Sequence, residues 1–68
     1  MNIYIFYDCN EWQEYSSFRF ICAVDDSAYD RAIKLIKQDR GYTDEEMEKY
    51  IYIETTILNE VDLWNVTK

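Results

Sequence analysis

The chain opens with two short runs of β-branched and aromatic residues, separated by a polar segment. The runs are residues 2–8 and 18–24, and the connection, residues 9–17, is polar apart from Trp12 and Tyr15. Such runs are typical of β-strands, and a short polar connection between two of them favours an antiparallel hairpin. The sequence therefore predicts a hairpin at the start of the chain.

The hydrophobic pattern leaves the register of this hairpin open. If Trp12 lies opposite Phe18, Cys9 and Cys22 face opposite sides of the sheet, whereas a shift of one residue places them on the same side. A disulfide is therefore not predicted. Two cysteines are too few for a disulfide framework, and free thiols in a reducing cytoplasm are the expectation.

Two helix starts follow the hairpin. Ser27 and Asp30 form an approximate capping box, after which apolar residues recur at helical spacing until Gly41, where the helix should stop. Residues 43–46 form a complete Thr-x-x-Glu box, whose side chains bond to free amides at the start of a helix. This second helix is predicted to end near Tyr50.

The last part of the chain returns to a β pattern. Residues 51–57 alternate in the manner of a strand, and residues 61–66 are a candidate fourth strand. The order β-β-α-α-β, with or without a closing strand, predicts an α+β fold in which helices pack on one face of a small antiparallel sheet of three or four strands. Proline is absent and there is one glycine, so a single compact domain without a linker is expected over residues 1–68.

The first predicted strand is too apolar on both faces for a sheet with one solvated side. Ile3, Ile5 and Tyr7 lie on one side, and Tyr4 and Phe6 on the other. Two helices of about 20 residues in total can cover only one face. We therefore predict a homodimer, or completion by another partner, through the face or edge of strand one. The competing interpretation leaves Tyr4 half-exposed and lets the last strand cross the open face.

Charge narrows the class of partner. The chain has 14 acidic and 7 basic residues and a net charge of −7, which disfavours contact with nucleic acid or an anionic membrane and fits a basic or neutral partner. Its apolar runs are too short to cross a bilayer, and the basic region of a signal peptide is missing. A cytoplasmic location is expected.

The sequence offers little for catalysis. Histidine is absent, which excludes a conventional Ser-His or Cys-His pair and the common zinc sites, and a single glycine excludes the standard nucleotide loops. The carboxylates match no calcium-loop or two-carboxylate spacing. We expect no enzyme activity, no cofactor and no metal.

Candidate partner-binding residues lie in three places: strand one, the hairpin connection and the second helix. Tryptophan is enriched among interface hot spots, so Trp12 is a candidate anchor; the alternative is that it folds back onto the sheet as core. The acidic strip of the second helix could imitate DNA phosphates, although an acidic first turn is also ordinary capping. The full set of candidates is Tyr4, Phe6, Glu11, Trp12, Tyr15, Asp44, Glu45 and Glu48.

A resemblance to known proteins rests on two segments. Residues 1–12 read Met-Asn-Ile-Tyr-Ile-Phe-Tyr-Asp-Cys-Asn-Glu-Trp, and residues 16–20 read Ser-Ser-Phe-Arg-Phe. In these segments the chain resembles short uncharacterised proteins of bacteriophages and prophages of Gram-positive bacteria. The resemblance implies a non-enzymatic inhibitor or modulator of a host protein, such as a component of a defence system. The alternatives are a structural homo-oligomer and an acidic DNA mimic.

Overall fold

A computed structural model describes residues 2–57, which form a three-stranded antiparallel sheet and two helices. The sheet is built from β1 (Asn2–Asp8), β2 (Arg19–Asp25) and β3 (Ile51–Ile57), and the helices are α1 (Tyr29–Arg40) and α2 (Asp44–Tyr50). The predicted α+β class and the predicted element order are confirmed. The candidate fourth strand, residues 61–66, lies outside the described residues. Neither helix is long and apolar enough to cross a membrane within residues 2–57.

The first strand lies in the middle of the sheet. The strand order is β2-β1-β3, and β1 is antiparallel to both neighbours. Its backbone is therefore paired on both sides, and its edge cannot pair with a second copy. The predicted contact through the edge of strand one is wrong, because β3 returns from the far end of the chain to occupy that edge.

The register of the hairpin contains a bulge. Phe6 lies opposite Cys22 and Tyr7 lies opposite Phe20, so one extra residue, Ile21, is accommodated between them. Trp12 lies in the connection, beyond the last pair of the ladder. Both cysteines are free: Cys22 shares the face of Phe6, whereas Cys9 is buried just after β1. Burial raises the pKa of the Cys9 thiol, so that thiol favours its neutral form.

The core lies between β1 and the helices. Phe6 is fully buried and packs in one cluster with Ala32 and Ile36 of α1 and with Ile51 of β3. Burying a side chain of this size contributes roughly 1.5–3 kcal/mol. Phe6 was a candidate partner contact, and that prediction is wrong, because α1 covers this face of the central strand.

Tyr4 also points toward the helices. Its ring packs on Tyr29 with the centroids 4.6 Å apart, and its hydroxyl donates to Asp26 Oδ1 at 2.8 Å. This hydrogen bond raises the pKa of Tyr4, because the phenolate would lose the bond and face a carboxylate. We call this side of the sheet, with Tyr4 and Phe6 on β1, the covered face. Tyr4 is half-buried there, so it is poorly placed for the predicted partner contact.

The entrance to α1 differs from the prediction. Ser27 does not cap the helix; the Asp25 carboxylate accepts hydrogen bonds from Ser27 N at 2.9 Å and from Ser27 Oγ at 2.6 Å. These bonds fix a 3-10 turn, Asp26–Ala28, that leads into the helix. Asp25 takes this role because it lies two residues before a free amide and its side chain reaches that amide directly. The bonds lower the pKa of Asp25.

The other helix boundaries follow the sequence closely. Gly41 ends α1 with a left-handed φ of 67°, and its amide donates to the carbonyl of Lys37. At the start of α2, Thr43 Oγ1 accepts from the Glu46 amide at 3.2 Å, while Glu46 Oε1 accepts from the Thr43 amide at 2.9 Å. This reciprocal pair is the predicted capping box. A salt bridge from Lys37 to Asp44 joins the two helices.

Candidate functional site on the open face of the sheet

The second face of the sheet carries a row of aromatic side chains. Directly opposed residues in antiparallel strands share a face, and Tyr7 of β1 lies opposite Phe20 of β2 and Tyr52 of β3. Phe20 is 65% exposed and Tyr52 is 38% exposed. We call this side, with Ile3, Ile5 and Tyr7 on β1, the open face, since neither α1 nor α2 packs on it.

A cavity of about 460 Å³ lies on this face. We call it the aromatic pocket; its lining residues are Tyr7, Tyr15, Phe18, Tyr52 and Glu54. Phe18 is the central ring: it stacks on Tyr7 at 5.5 Å and on Tyr52 at 4.8 Å, with interplanar angles of 25° and 27°. Tyr15 meets the edge of Phe18 at 5.7 Å. The pocket is therefore a platform of ring faces and edges that lies beside one carboxylate.

That carboxylate is held by a tyrosine. The Tyr7 hydroxyl donates to Glu54 Oε1 at 3.0 Å, between residues that are 47 positions apart. The hydrogen bond raises the pKa of Tyr7, because ionising the phenol would break the bond and place two negative charges together. At neutral pH the phenol therefore stays a donor and keeps Glu54 at the edge of the rings.

The loop that carries Tyr15 is organised by Asn10. Asn10 Oδ1 accepts from the backbone amides of Trp12 at 3.2 Å and Glu14 at 3.1 Å. The backbone amide of Asn10 donates to Ser17 Oγ at 3.1 Å. Asparagine is suited to this because its side chain bonds to backbone amides a few residues ahead. These bonds lead the chain into the 3-10 helix Tyr15–Ser17, which brings Tyr15 to the pocket.

Gln13 ties the same loop to the end of α2. Its side-chain amide donates to the carbonyls of Glu48 at 2.8 Å and Lys49 at 3.4 Å. Gln13 has a positive φ of 52°, which is uncommon for a residue other than glycine. The hydrogen bonds to α2 compensate for this backbone conformation. The loop is therefore held internally by Asn10 and is attached to α2 by Gln13.

The predicted loop contacts remain available to a partner. Trp12 is 72% exposed, so the alternative in which it folds back onto the sheet is wrong. Tyr15 is 87% exposed apart from its contact with Phe18, and Glu11 is exposed in the same loop. Exposure is a condition for binding, and the binding role of these residues stays a prediction.

The acidic residues of α2 lie apart from the aromatic pocket, since none of them lines it. Asp44 forms the salt bridge to Lys37, and Glu46 belongs to the capping box. Glu45 and Glu48 are exposed. Two of the four acidic residues of α2, Asp44 and Glu46, therefore have structural roles within residues 2–57. This weakens the interpretation of these four residues as an imitation of DNA phosphates.

Sequence reasoning missed most of the pocket. Five residues that shape the open face were not among the candidates: Tyr7, Phe18, Phe20, Tyr52 and Glu54. The one clue was Tyr52 and Glu54 at a spacing of two, which places both on one face of a strand. Their proximity to Tyr7 depends on the pairing of β1 with β3, which the hydrophobic pattern does not specify.

Comparisons with known proteins add no identity. No protein-family model matches this chain, and no curated protein or solved structure matches it significantly. The resemblance to phage proteins therefore stays a prediction. Within residues 2–57, no three His, Cys, Asp or Glu side chains form a group that could hold a metal ion.

Proposed function

We propose that this protein is a non-enzymatic binding module that docks onto another protein through its open face. The observation that supports this is the aromatic row of Tyr7, Phe20 and Tyr52 beside the aromatic pocket, in which Phe20 and Tyr52 are exposed and Tyr7 is half-buried. Contiguous exposed apolar surface marks interaction sites, and aromatic residues are enriched at their centres. The exposed Trp12 and Tyr15 extend this surface along the hairpin connection.

The partner is a basic or neutral protein. The net charge of −7 attracts basic surfaces during encounter and repels acidic ones. We further propose, on the strength of the resemblance, that the partner is a host protein and that binding inhibits or redirects it. A phage-encoded chain of this kind would act in the host cytoplasm.

A structural homo-oligomer is the second candidate, and the same exposed face favours it. Two copies that meet through their open faces would bury the aromatic rows against each other. Each copy carries a charge of −7, so this association would be opposed at low salt and strengthened by screening. Sedimentation separates the two functions, because a binding module without its partner is a monomer of 8.3 kDa.

The test compares two exposed apolar side chains on different surfaces. Phe20→Ser alters the open face, and Leu35→Ser, the matched control, alters α1; the wild-type residues are 65% and 56% exposed. The tagged full chain is used to capture proteins from a lysate of its source cells. We expect a specifically captured protein to be lost with Phe20→Ser and retained with Leu35→Ser. Equal capture by both variants would exclude the open face as the docking surface.

A further inference from the structure

We propose that the aromatic pocket binds the guanidinium group of an arginine side chain that the partner protein presents. This inference rests on the proposed function, because it names the chemistry that the open face recognises. It draws on three features of the pocket: its rings, its carboxylate and the absence of basic side chains among those lining residues that belong to the described part of the chain, residues 2–57.

The rings supply a surface for a cation. A positive charge within about 6 Å of an aromatic centroid is attracted by the negative face of the ring. The ring centroids of Tyr7, Phe18 and Tyr52 lie 4.8–6.2 Å from one another, so a cation placed beside one of these rings is also close to its neighbours. Tyr15, at the rim, is 87% exposed and offers a further ring.

Glu54 supplies the counter-charge. Oε1 accepts the Tyr7 hydroxyl at 3.0 Å, which holds the carboxylate beside the rings. An ionised carboxylate has about four acceptor positions, so the bond to Tyr7 leaves capacity for a second donor. A guanidinium can donate to a carboxylate through two N–H groups while its plane lies along a ring.

The arrangement of the rings favours arginine over other cations. Phe18 is nearly parallel to Tyr7 and Tyr52, and Tyr7 and Tyr52 are inclined by 40° to each other, so these three rings do not stand at right angles to one another as the walls of an aromatic cage would. A flat, weakly hydrated guanidinium stacks on ring faces, whereas a lysine ammonium is compact and strongly hydrated. A trimethylammonium group is best held by a cage that contacts it from several sides.

The basic residue that adjoins Phe18 in the chain does not occupy the pocket. Arg19 Nη1 donates to the carbonyls of Ser16 at 3.2 Å and Phe18 at 2.9 Å, and Arg19 does not line the cavity. The described lining residues therefore offer one negative charge and no positive charge. Together with the net charge of −7, this favours an incoming cation.

The test uses a small probe, acetyl-Gly-Arg-Gly-amide, titrated into the isotopically labelled full chain and followed by nuclear magnetic resonance. We expect saturable shifts of Tyr7, Tyr52 and Glu54 with a dissociation constant on the order of millimolar, because one side chain supplies the contacts. Replacing arginine by citrulline, which has the same shape without the charge, should weaken binding about tenfold. Lysine and trimethyllysine probes should also bind more weakly than arginine.

Two matched variants separate a specific contact from general attraction. Glu54→Gln and Glu45→Gln each remove one exposed carboxylate, but only Glu54 lines the pocket. We expect Glu54→Gln to weaken the arginine probe about tenfold, and Glu45→Gln to change its affinity less than about twofold. Equal effects of the two variants would overturn the proposal, as would equal binding of arginine and citrulline.

Other occupants would give different results. Tighter binding of trimethyllysine would replace the arginine assignment, and no shift at the pocket up to about 50 mM probe would remove it. Probe binding that weakens as protein concentration rises would assign the pocket to a second copy. Trp64 belongs to residues 58–68, which lie outside the described part of the chain. If the probe binds only after Trp64 is replaced by serine (Trp64→Ser), the pocket is assigned to the chain's own residues 58–68. If a captured partner still depends on Phe20, the proposed function stands and only the arginine contact fails.

Discussion

The two faces of the sheet use the same kind of side chain for different purposes. On the covered face, Phe6 has no exposed surface and packs with Ile36. On the open face, Phe20 is 65% exposed. The neighbours Phe6 and Tyr7 on β1 lie on opposite sides of this division, which shows that aromatic content alone does not locate a core. The location of the core is decided by which face of the sheet the helices cover.

The largest expected effect contrasts the two faces directly. Phe6→Ala leaves a cavity in the core and should lower the free energy of unfolding by about 3–5 kcal/mol, a large part of the stability of a domain of this size. Phe20→Ala should change it by about 0.5 kcal/mol or less, because that ring stays mostly in water. Urea unfolding followed by circular dichroism measures both.

If Phe6→Ala does not fold, Phe6→Leu keeps most of the volume and allows the comparison to be completed. It should still cost more stability than Phe20→Leu. Similar losses at the two positions would mean that both faces are buried in solution.

The capping box of α2 gives the next largest effect, because it supports a helix on the covered side. Thr43→Ala removes the side-chain oxygen that accepts from the Glu46 amide and should cost about 0.5–2 kcal/mol. Thr43→Ser keeps a hydroxyl in place and is the matched control. A thermal melt in which the two variants lose equal stability would rule out the cap.

A smaller effect depends on acid. The hydrogen bonds from Ser27 hold the pKa of Asp25 below its ordinary value, so the stability they contribute is present above about pH 4 and is lost as pH falls through the folded-state pKa. Asp25→Asn keeps an acceptor but does not titrate. The stability advantage of the wild type over Asp25→Asn should therefore shrink between about pH 5 and pH 2.

The Ser27→Ala variant checks which residue caps the entrance to α1. Ser27 donates to Asp25 and is not itself the acceptor, so Ser27→Ala should cost less stability than Asp25→Ala. The reverse order would restore Ser27 as the cap.

The smallest effect belongs to the open face. The bond to Glu54 raises the pKa of Tyr7, so its contribution to stability is present below about pH 10 and is lost as pH rises through the folded-state pKa. Tyr7→Phe removes this contribution, so it should lower stability slightly at neutral pH and make the decline above about pH 10 shallower. Unfolding curves across alkaline pH, with an absorbance titration of the tyrosines, test this.

The elements that the sequence predicted well are those governed by local chemistry. The bounds of β1 and β3, the stop at Gly41 and the box at Thr43 depend on residues within a few positions of one another. The place of β1 in the sheet was not predictable in this way, because β3 comes from the far end of the chain. The same is true of the open face: the pairing of Tyr7 with Tyr52 and Glu54 is a tertiary contact.

Local chemistry also misled in one place. Ser27 and Asp30 have the spacing of a capping box, in which the Asp30 carboxylate would accept a hydrogen bond from the Ser27 amide. In the structure the Asp25 carboxylate accepts from that amide instead. The bulge at Ile21 is a second such case, since alternation along β2 alone gives no reason to skip a residue. The pattern of apolar positions specifies neither the bulge nor the choice of capping carboxylate.

The central claim is that the aromatic row is open to solvent. Hydroxyl-radical footprinting tests this claim most directly, with the free 68-residue chain at micromolar concentration. Exposed rings are oxidised quickly and buried rings slowly, and mass spectrometry locates the oxidised residues. Phe20 and Tyr52 should be oxidised much faster than Phe6, in line with exposures of 65%, 38% and 0%. Protection of Phe20 and Tyr52 equal to that of Phe6 would contradict the account, because the open face would then already be covered before any partner binds.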